Sequence, residues 1–202
     1  MMFLLLDVAS PIPEFHLIDD KKIINSIKIT DNKDQKLSDL LIPTYIEIDR
    51  AYKLSKNLEK LIITIRPGSY TALRVGASFI AGLSQSMSLP VSVVSTLTIY
   101  NHLTEPRNHI GVYFESSNKQ KFFSYQKNYQ FIHEKIDNMS YLVPKSVSKV
   151  IYNLTLPDFI NDNIQSEIFS IKNNVIKNLD KLEFDKDLII KPIYISNNTI
   201  LN

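Results

Sequence analysis

Asp7 is the first residue of this 202-residue chain with the means to do chemistry. It ends the apolar run Phe3-Leu4-Leu5-Leu6, which reads as a strand buried on both faces. A carboxylate there either anchors a metal with its nucleotide phosphates or caps the strand end. The loop after it, Val8-Ala9-Ser10-Pro11-Ile12-Pro13, has two prolines, and a proline offers no N–H to an anion. A second candidate is Arg66-Pro67-Gly68-Ser69, a turn between apolar Leu61–Ile65 and a helical pattern over Tyr70–Met87. Ser69 is expected to be the N-cap, its hydroxyl accepting a free N–H of the first turn. Gly68, Ser69 and the N–H groups at the helix start could hold an anion. An ordinary strand-to-helix connection needs the same residues.

The remaining chemistry-bearing types are sparse. His16, His102, His109 and His133 show no H-x-x-x-H or H-E-x-x-H spacing, and the absence of cysteine excludes disulfides and thiolate metal sites. No G-x-S-x-G elbow is present. No catalytic residue and no metal site are therefore expected. Lysines over 119–127 alternate with Phe122, Phe123, Tyr125 and Tyr129. They suit either RNA stacking or the solvated face of an amphipathic hairpin, and the hairpin is the expectation. The formal net charge of +2 includes no concentrated basic run. Met2–Leu6 is too short and lacks the basic lead of a signal peptide. No stretch approaches the roughly 20 apolar residues of a membrane span. The expected location is the cytoplasm, away from membranes.

The elements that must position these residues read as α/β. Three strands, at Met2–Val8, Phe15–Ile18 and Ile23–Ile29, form a meander. A helix follows over Leu37–Lys56, with Leu41, Tyr45, Ile48 and Tyr52 on one apolar side and Ile42, Ile46 and Leu54 on another. Two apolar sides need two surfaces to cover them: its own sheet, and a neighbouring helix or another protein. Strand Leu58–Ile65, helix Tyr70–Met87, strand Val91–Val94 and a short helix from Ser95 to Leu103 complete a first lobe over residues 1–103. Gly76 and Gly82 lie inside the second helix among Ala72, Ala77, Ser78, Ala81 and Ser84. Each glycine costs roughly 1 kcal/mol of helix propensity, so close backbone approach is expected there. A smaller second lobe over 104–202 is expected to hold a hairpin at Ile110–Phe114 and Lys121–Tyr125, strands at Tyr129–Glu134 and Val147–Tyr152, a helix over Ile164–Leu182 and a closing strand or arm over Leu188–Ile195.

Pro67-Gly68-Ser69-Tyr70-Thr71-Ala72-Leu73-Arg74-Val75-Gly76, then Ala81-Gly82-Leu83, Leu89-Pro90 and Val94-Ser95-Thr96-Leu97, resemble the signature of the TsaB (YeaZ) family. Weaker echoes lie in Phe3–Ser10, Leu37–Pro43 and Lys191–Ile195, while 101–187 carries little of the pattern. The resemblance implies an actin-like ATPase (ribonuclease H-like) fold with a mixed sheet, flanking helices and a reduced second lobe. It also implies a non-catalytic subunit of the complex that makes N6-threonylcarbamoyladenosine in tRNA. Such a subunit pairs two helices with those of the catalytic paralogue TsaD, whose metal-binding histidine pair has no counterpart here. TsaE joins the pair, and tRNA is met only through the complex. The implied contacts are Leu41, Tyr45, Ile48 and Tyr52 on the first helix. On the second they are Tyr70, Leu73, Arg74, Ala77, Ile80, Ala81 and Ser84. Alone, the same helices could pair two copies of the chain. ATP or ADP is expected only in the assembled complex, with Asp7, Gly68 and Ser69 the weak candidates for holding it. The competing hypothesis is a small actin-like ATP-dependent phosphotransferase with Asp7 near the metal.

Overall fold

In the computed structural model, the described residues are 1–30, 35–66, 69–95, 109–116, 119–128, 130–136, 141–187, 189–190 and 199–201. The first three strands are β1 (Met2–Asp7), β2 (Glu14–Asp19) and β3 (Lys22–Lys28). They form the expected meander, and the β2–β3 turn places Asp20 and Lys21 at φ 44° and 62°. Positive φ at both central residues gives a two-residue turn the twist that suits flanking strands. Next come α1 (Leu37–Tyr52), the short α2 (Leu54–Asn57), β4 (Leu58–Arg66), α3 (Tyr70–Met87) and β5 (Val91–Ser95). The sheet order is β3-β2-β1-β4-β5, with β4 parallel to both β1 and β5. This meander continued by parallel crossovers is the half-fold of the actin-like class.

The second sheet is built from β6 (Ile110–Glu115), β7 (Lys121–Lys127), β8 (Gln130–Ile136), β9 (Lys149–Tyr152), β10 (Gln165–Ile168) and β11 (Thr199–Leu201), in the order β10-β9-β6-β7-β8-β11. One seven-residue helix, α4 (Ile171–Lys177), and a 3₁₀ turn at Leu179–Lys181 follow β10. Ile110, Val112 and Phe114 of β6, with Phe122 of β7 and Ile171 and Val175 of α4, share one apolar core with the first sheet. A second core, on the other face, contains Tyr113, Phe123, Tyr125 and Ile160.

Two helices differ from expectation. The first breaks at Lys53, which turns left-handed at φ 53° and donates its N–H to Asp49, so α2 starts afresh. The helix expected over Ile164–Leu182 is a strand in its first part. Gln165–Ile168 pairs in parallel with β9, and Ile168 is exposed. Ser170 then caps α4, accepting the Asn173 N–H, and Ile171, Val175 and Leu179 are buried at helical spacing. The short helix after Ser95, the linker near residues 104–108, His102, Gly68 and the arm over 191–195 lie outside the described residues.

His16 shows how the lobes meet. It is buried on β2, with Nδ1 2.9 Å from Ser26 Oγ and Nε2 3.5 Å from Glu14. Burial first, and the charge of Lys172 on α4 second, hold its pKa down at about 4 against an ordinary 6.5. Glu14 alone would favour the charged ring, but the dry setting outweighs it. A depressed histidine pKa means the unfolded chain takes the proton first. The contribution is therefore whole above pH 6.5 and lost as pH falls towards 4. Between pH 7 and pH 5 the fold is expected to lose about 2 kcal/mol at this site. Urea titrations at both pH values, on wild type and His16→Gln, check it: the variant's stability must vary less with pH.

Candidate functional site

At the end of β1, Asp7 is bound to its own loop and to the neighbouring strand. Asp7 Oδ1 accepts the N–H groups of Ala9 and Ser10, each at 3.1 Å, and the Thr64 hydroxyl at 2.7 Å. Its Oδ2 accepts the Ser10 hydroxyl at 2.5 Å. Thr64 Oγ1 in turn accepts the N–H of Val8 at 3.1 Å. Asp7 and Thr64 are both buried. The carboxylate thus spends its lone pairs on its own loop and the neighbouring strand β4. Burial pushes the Asp7 carboxyl above its ordinary range, and these hydrogen bonds oppose that shift.

Val8 fills the remaining space. It is fully buried, and a Cβ added at Gly76 of α3 would stand 2.9 Å from both Val8 Cγ atoms. Gly76 lets α3 approach the end of β1, where the two branches of Val8 occupy the gap. Asp7 is placed as a strand-end cap above a hydrophobic plug. Ser69 is the N-cap residue of α3, but its side chain makes no capping hydrogen bond, contrary to expectation. Gly68, the third of the weak nucleotide candidates, lies outside the described residues. Among the described residues, no three histidine, aspartate or glutamate side chains gather as metal ligands.

The two long helices have an inside and an outside. Leu41 and Ile48 of α1, and Leu73, Ala77, Ile80 and Ser84 of α3, are buried in the chain's own core. These six expected contacts are corrected to core positions: a helix turns its widest apolar stripe to its own sheet first. Tyr45 is half-buried, its ring 5.3 Å edge-on from Phe79 and 6.3 Å from Phe15, so it seals α1 to α3. Tyr52 is half-buried and accepts a hydrogen bond from Asn25 at 2.9 Å. Tyr70, Arg74 and Ala81 are exposed. The Arg74 guanidinium lies 4.2 Å from the centre of the Tyr70 ring, which holds both on the outer face.

That face includes residues absent from the expected contacts. Ile42 and Ile46, on the second side of α1, are 56% and 42% exposed. Ser78 and Gly82 of α3 are exposed beside Arg74 and Ala81. A Cβ at Gly82 would meet nothing within 4 Å. Between the helices runs a groove of about 440 Å³, walled by Ile42, Arg74, Val75, Ser78 and Phe79. The signal for Ile42 and Ile46 was the doubled apolar stripe of α1. Gly82 was signalled by its propensity cost.

A protein-family model described as TsaD, tRNA N6-adenosine threonylcarbamoyltransferase, matches residues 32–182. The chain belongs to the TsaD family. The structure of YeaZ from Pseudomonas aeruginosa superposes with a TM-score of 0.62 over 96% of this chain and 99% of that one, at 12% identity. At that identity the likeness establishes the fold, and it bears out the actin-like expectation. A second solved structure, of an uncharacterised protein with similarity to peptidase YeaZ from Pseudomonas aeruginosa, aligns at TM-score 0.48 and 14% identity over 75% of this chain and 74% of that one. No curated protein matches in sequence. Family and fold together agree with the TsaB (YeaZ) resemblance carried by the Pro67–Gly76 signature. No helix among the described residues is long and apolar enough to cross a membrane.

Proposed function

We propose that this chain is a TsaB-like scaffold subunit for tRNA N6-threonylcarbamoyladenosine synthesis, doing no chemistry itself and holding a TsaD-type catalytic subunit. The observation that carries this reading is the outer face of α1 and α3. Ile42 and Ile46 expose apolar surface, and Gly82 gives up helix propensity without any contact inside the chain to justify it. A partner helix packed against Ser78, Ala81 and Gly82 supplies the missing reason, since small side chains let two helix axes come close. The plugged β1 loop argues against the ATP-dependent phosphotransferase. On this reading nucleotide belongs to the assembled complex, TsaE joins that assembly, tRNA is reached through it, and the compartment is the cytoplasm. In the absence of TsaD the same face can pair two copies.

The test is co-expression with the TsaD of the same organism, followed by size-exclusion chromatography. Ala81→Arg is the informative variant, because Ala81 is exposed and the substitution spares the chain's core. Ala77→Arg would drive a charge into the core, since Ala77 is 4% exposed. Wild type is expected to elute as a one-to-one complex. Ala81→Arg, folded by circular dichroism, is expected to weaken it about 100-fold or more, as a buried unpaired charge does at a packed interface. Absence of any complex at micromolar concentrations, with TsaE and ATP present, sinks the proposal.

A further inference from the structure

We propose that residues 182–187 are a releasable strap guarding the edge of the first sheet, and that β5, once uncovered, pairs with β5 of a second copy of this chain. The strap leaves the 3₁₀ turn at Leu179–Lys181 in the second lobe and reaches the first lobe at Val91. There Val91 donates its N–H to the Asp185 carbonyl at 2.8 Å, and Asp185 donates its own to the Val91 carbonyl at 3.0 Å. None of these residues belongs to the outer face of α1 and α3, so the strap is independent of the scaffold reading.

Along the strap, Leu182 and Phe184 are half-buried against the shared core, whereas Glu183, Asp185, Lys186 and Asp187 are exposed. Over 182–185 that is the period of two of an extended strand. Phe184 is the anchor. Its ring centre lies 5.9 Å from that of Phe3 on β1. Lys60 Nζ, on β4, stands 4.5 Å from the Phe184 ring centre and 5.8 Å from that of Phe3. Lys60 and Phe3 are register partners, so both belong to the face of the sheet that the anchor covers. The hold is short. Among the described residues the strap forms one isolated antiparallel pair with β5. Beyond it the Asp187 N–H turns back to the Asp185 carboxylate at 2.9 Å, and such a turn ends extended pairing. Aspartate is also a poor strand former. A segment held by one pair and one ring opens well below the cost of unfolding its lobe.

The strand beneath has the opposite character. β5 is Val91-Ser92-Val93-Val94-Ser95, rich in β-branched residues and without charge. Among the described strands it stands at the edge of its sheet. Proteins blunt such edges with charge or cover, because an unpaired edge accepts another extended chain. β5 has no charge of its own, so the charged strap supplies the guard. Two features select a second copy as the occupant. The strap pairs antiparallel, so the edge already presents its backbone groups in that sense. An antiparallel pair of identical strands closes on a twofold axis. Centred on Val93, that register sets Val93 against Val93, Ser92 against Val94 and Val91 against Ser95. Every facing pair is then uncharged and contains a valine, which favours cross-strand pairing. The formal net charge of +2 offers little repulsion to such a dimer.

Amide exchange and sedimentation of the full chain test this, in an Ala81→Arg background that silences pairing through the α1–α3 face. The background chain is expected to be monomeric, with the Val91 N–H protected. Phe184→Ala is expected to speed exchange of that N–H about tenfold or more, since it removes the ring that anchors the strap. It should also produce a dimer half formed at about 100 µM, the affinity of a small edge contact. Asp185→Pro removes the N–H donated to Val91 at an exposed position, so the core is spared, and it should give the same dimer. Val93→Lys sets two cations opposite each other at the twofold axis and should return both strap variants to monomers. The proposal is overturned if Phe184→Ala leaves the exchange of Val91 unchanged. It is also overturned if both strap variants stay monomeric up to about 1 mM, or if their dimer survives Val93→Lys. Near-ultraviolet circular dichroism and melting curves on each variant separate a released strap from a lost fold.

Discussion

Asp7→Ala is expected to lower the stability of this chain by about 3–5 kcal/mol, because it strands several buried donors at once. The carboxylate accepts from Ala9, Ser10 and Thr64, and each of those groups lies against the packed end of β1. Ala9 is fully buried, as is Thr64. Without Asp7 the Thr64 hydroxyl and the Ser10 N–H face a cavity, and the Ala9 N–H keeps only its longer bond to Thr64 Oγ1 at 3.3 Å. A buried donor left unmade costs roughly 1–3 kcal/mol, and more when its lost acceptor was charged. Asp7→Asn separates charge from hydrogen bonding. Its carbonyl can still accept at the Oδ1 position, and its amide can donate to the Ser10 hydroxyl. A milder loss, about 1–2 kcal/mol, is expected. Urea denaturation with an unchanged m-value measures both. The metal-anchor reading predicts the opposite ordering. A carboxylate kept for chemistry is a stability liability, and its removal is commonly neutral or stabilising. An Asp7→Ala chain within about 1 kcal/mol of wild type would therefore restore the phosphotransferase hypothesis.

Thr64 also shows where the sequence ran out. Asp7 was legible as a strand-end carboxylate, and the prolines after it marked a poor phosphate loop. Its partner lies on β4, and parallel register cannot be counted from a sequence. The same limit explains the helix faces. Periodicity exposes both stripes of α1 but does not tell which meets the sheet. The structure turns Leu41 and Ile48 inward, because Tyr45 between them locks against Phe15 and Phe79. On α3 the inner positions Leu73, Ala77, Ile80 and Ser84 and the outer positions Arg74, Ser78 and Ala81 are each spaced helically, and both contain small residues. Small size alone cannot say which side awaits a partner. Around β10, Ile164 and Ile168 extend the helical spacing of Ile171 and Val175 backwards, by steps of four, three and four. Ser170 was the readable sign that the helix starts later. The meander, β4, α3 and β5 were all legible because long apolar runs and the Pro–Gly–Ser turn punctuate them without competing patterns.

Gly111→Ala is expected to cost about 3 kcal/mol, near the upper end of what one added methyl does in a packed core. Nothing about its backbone demands glycine: its φ is not positive. The demand comes from across the sheet. A Cβ at Gly111 would overlap Phe123 Cζ and stand 3.0 Å from both Phe123 Cε1 and Val147 Cγ1. Phe123 cannot swing aside. It is fully buried, with Tyr141 at 5.3 Å, Tyr125 at 6.2 Å and Phe159 at 6.4 Å between ring centres. Tyr141 is itself held by a hydrogen bond to Glu134. The strain must therefore spread into β6 or break the aromatic cluster. In a chain of this size about 3 kcal/mol lowers the melting temperature by roughly 6–12 °C. Gly82→Ala is the control. It adds the same methyl to open space and to a helix, so it is expected to stabilise by about 0.5–1 kcal/mol. Gly111→Ala combined with Phe123→Leu should lose less than the sum of the two single changes, by about 1 kcal/mol or more, since the smaller side chain makes room for the methyl. Additive losses would mean that the methyl never meets the ring.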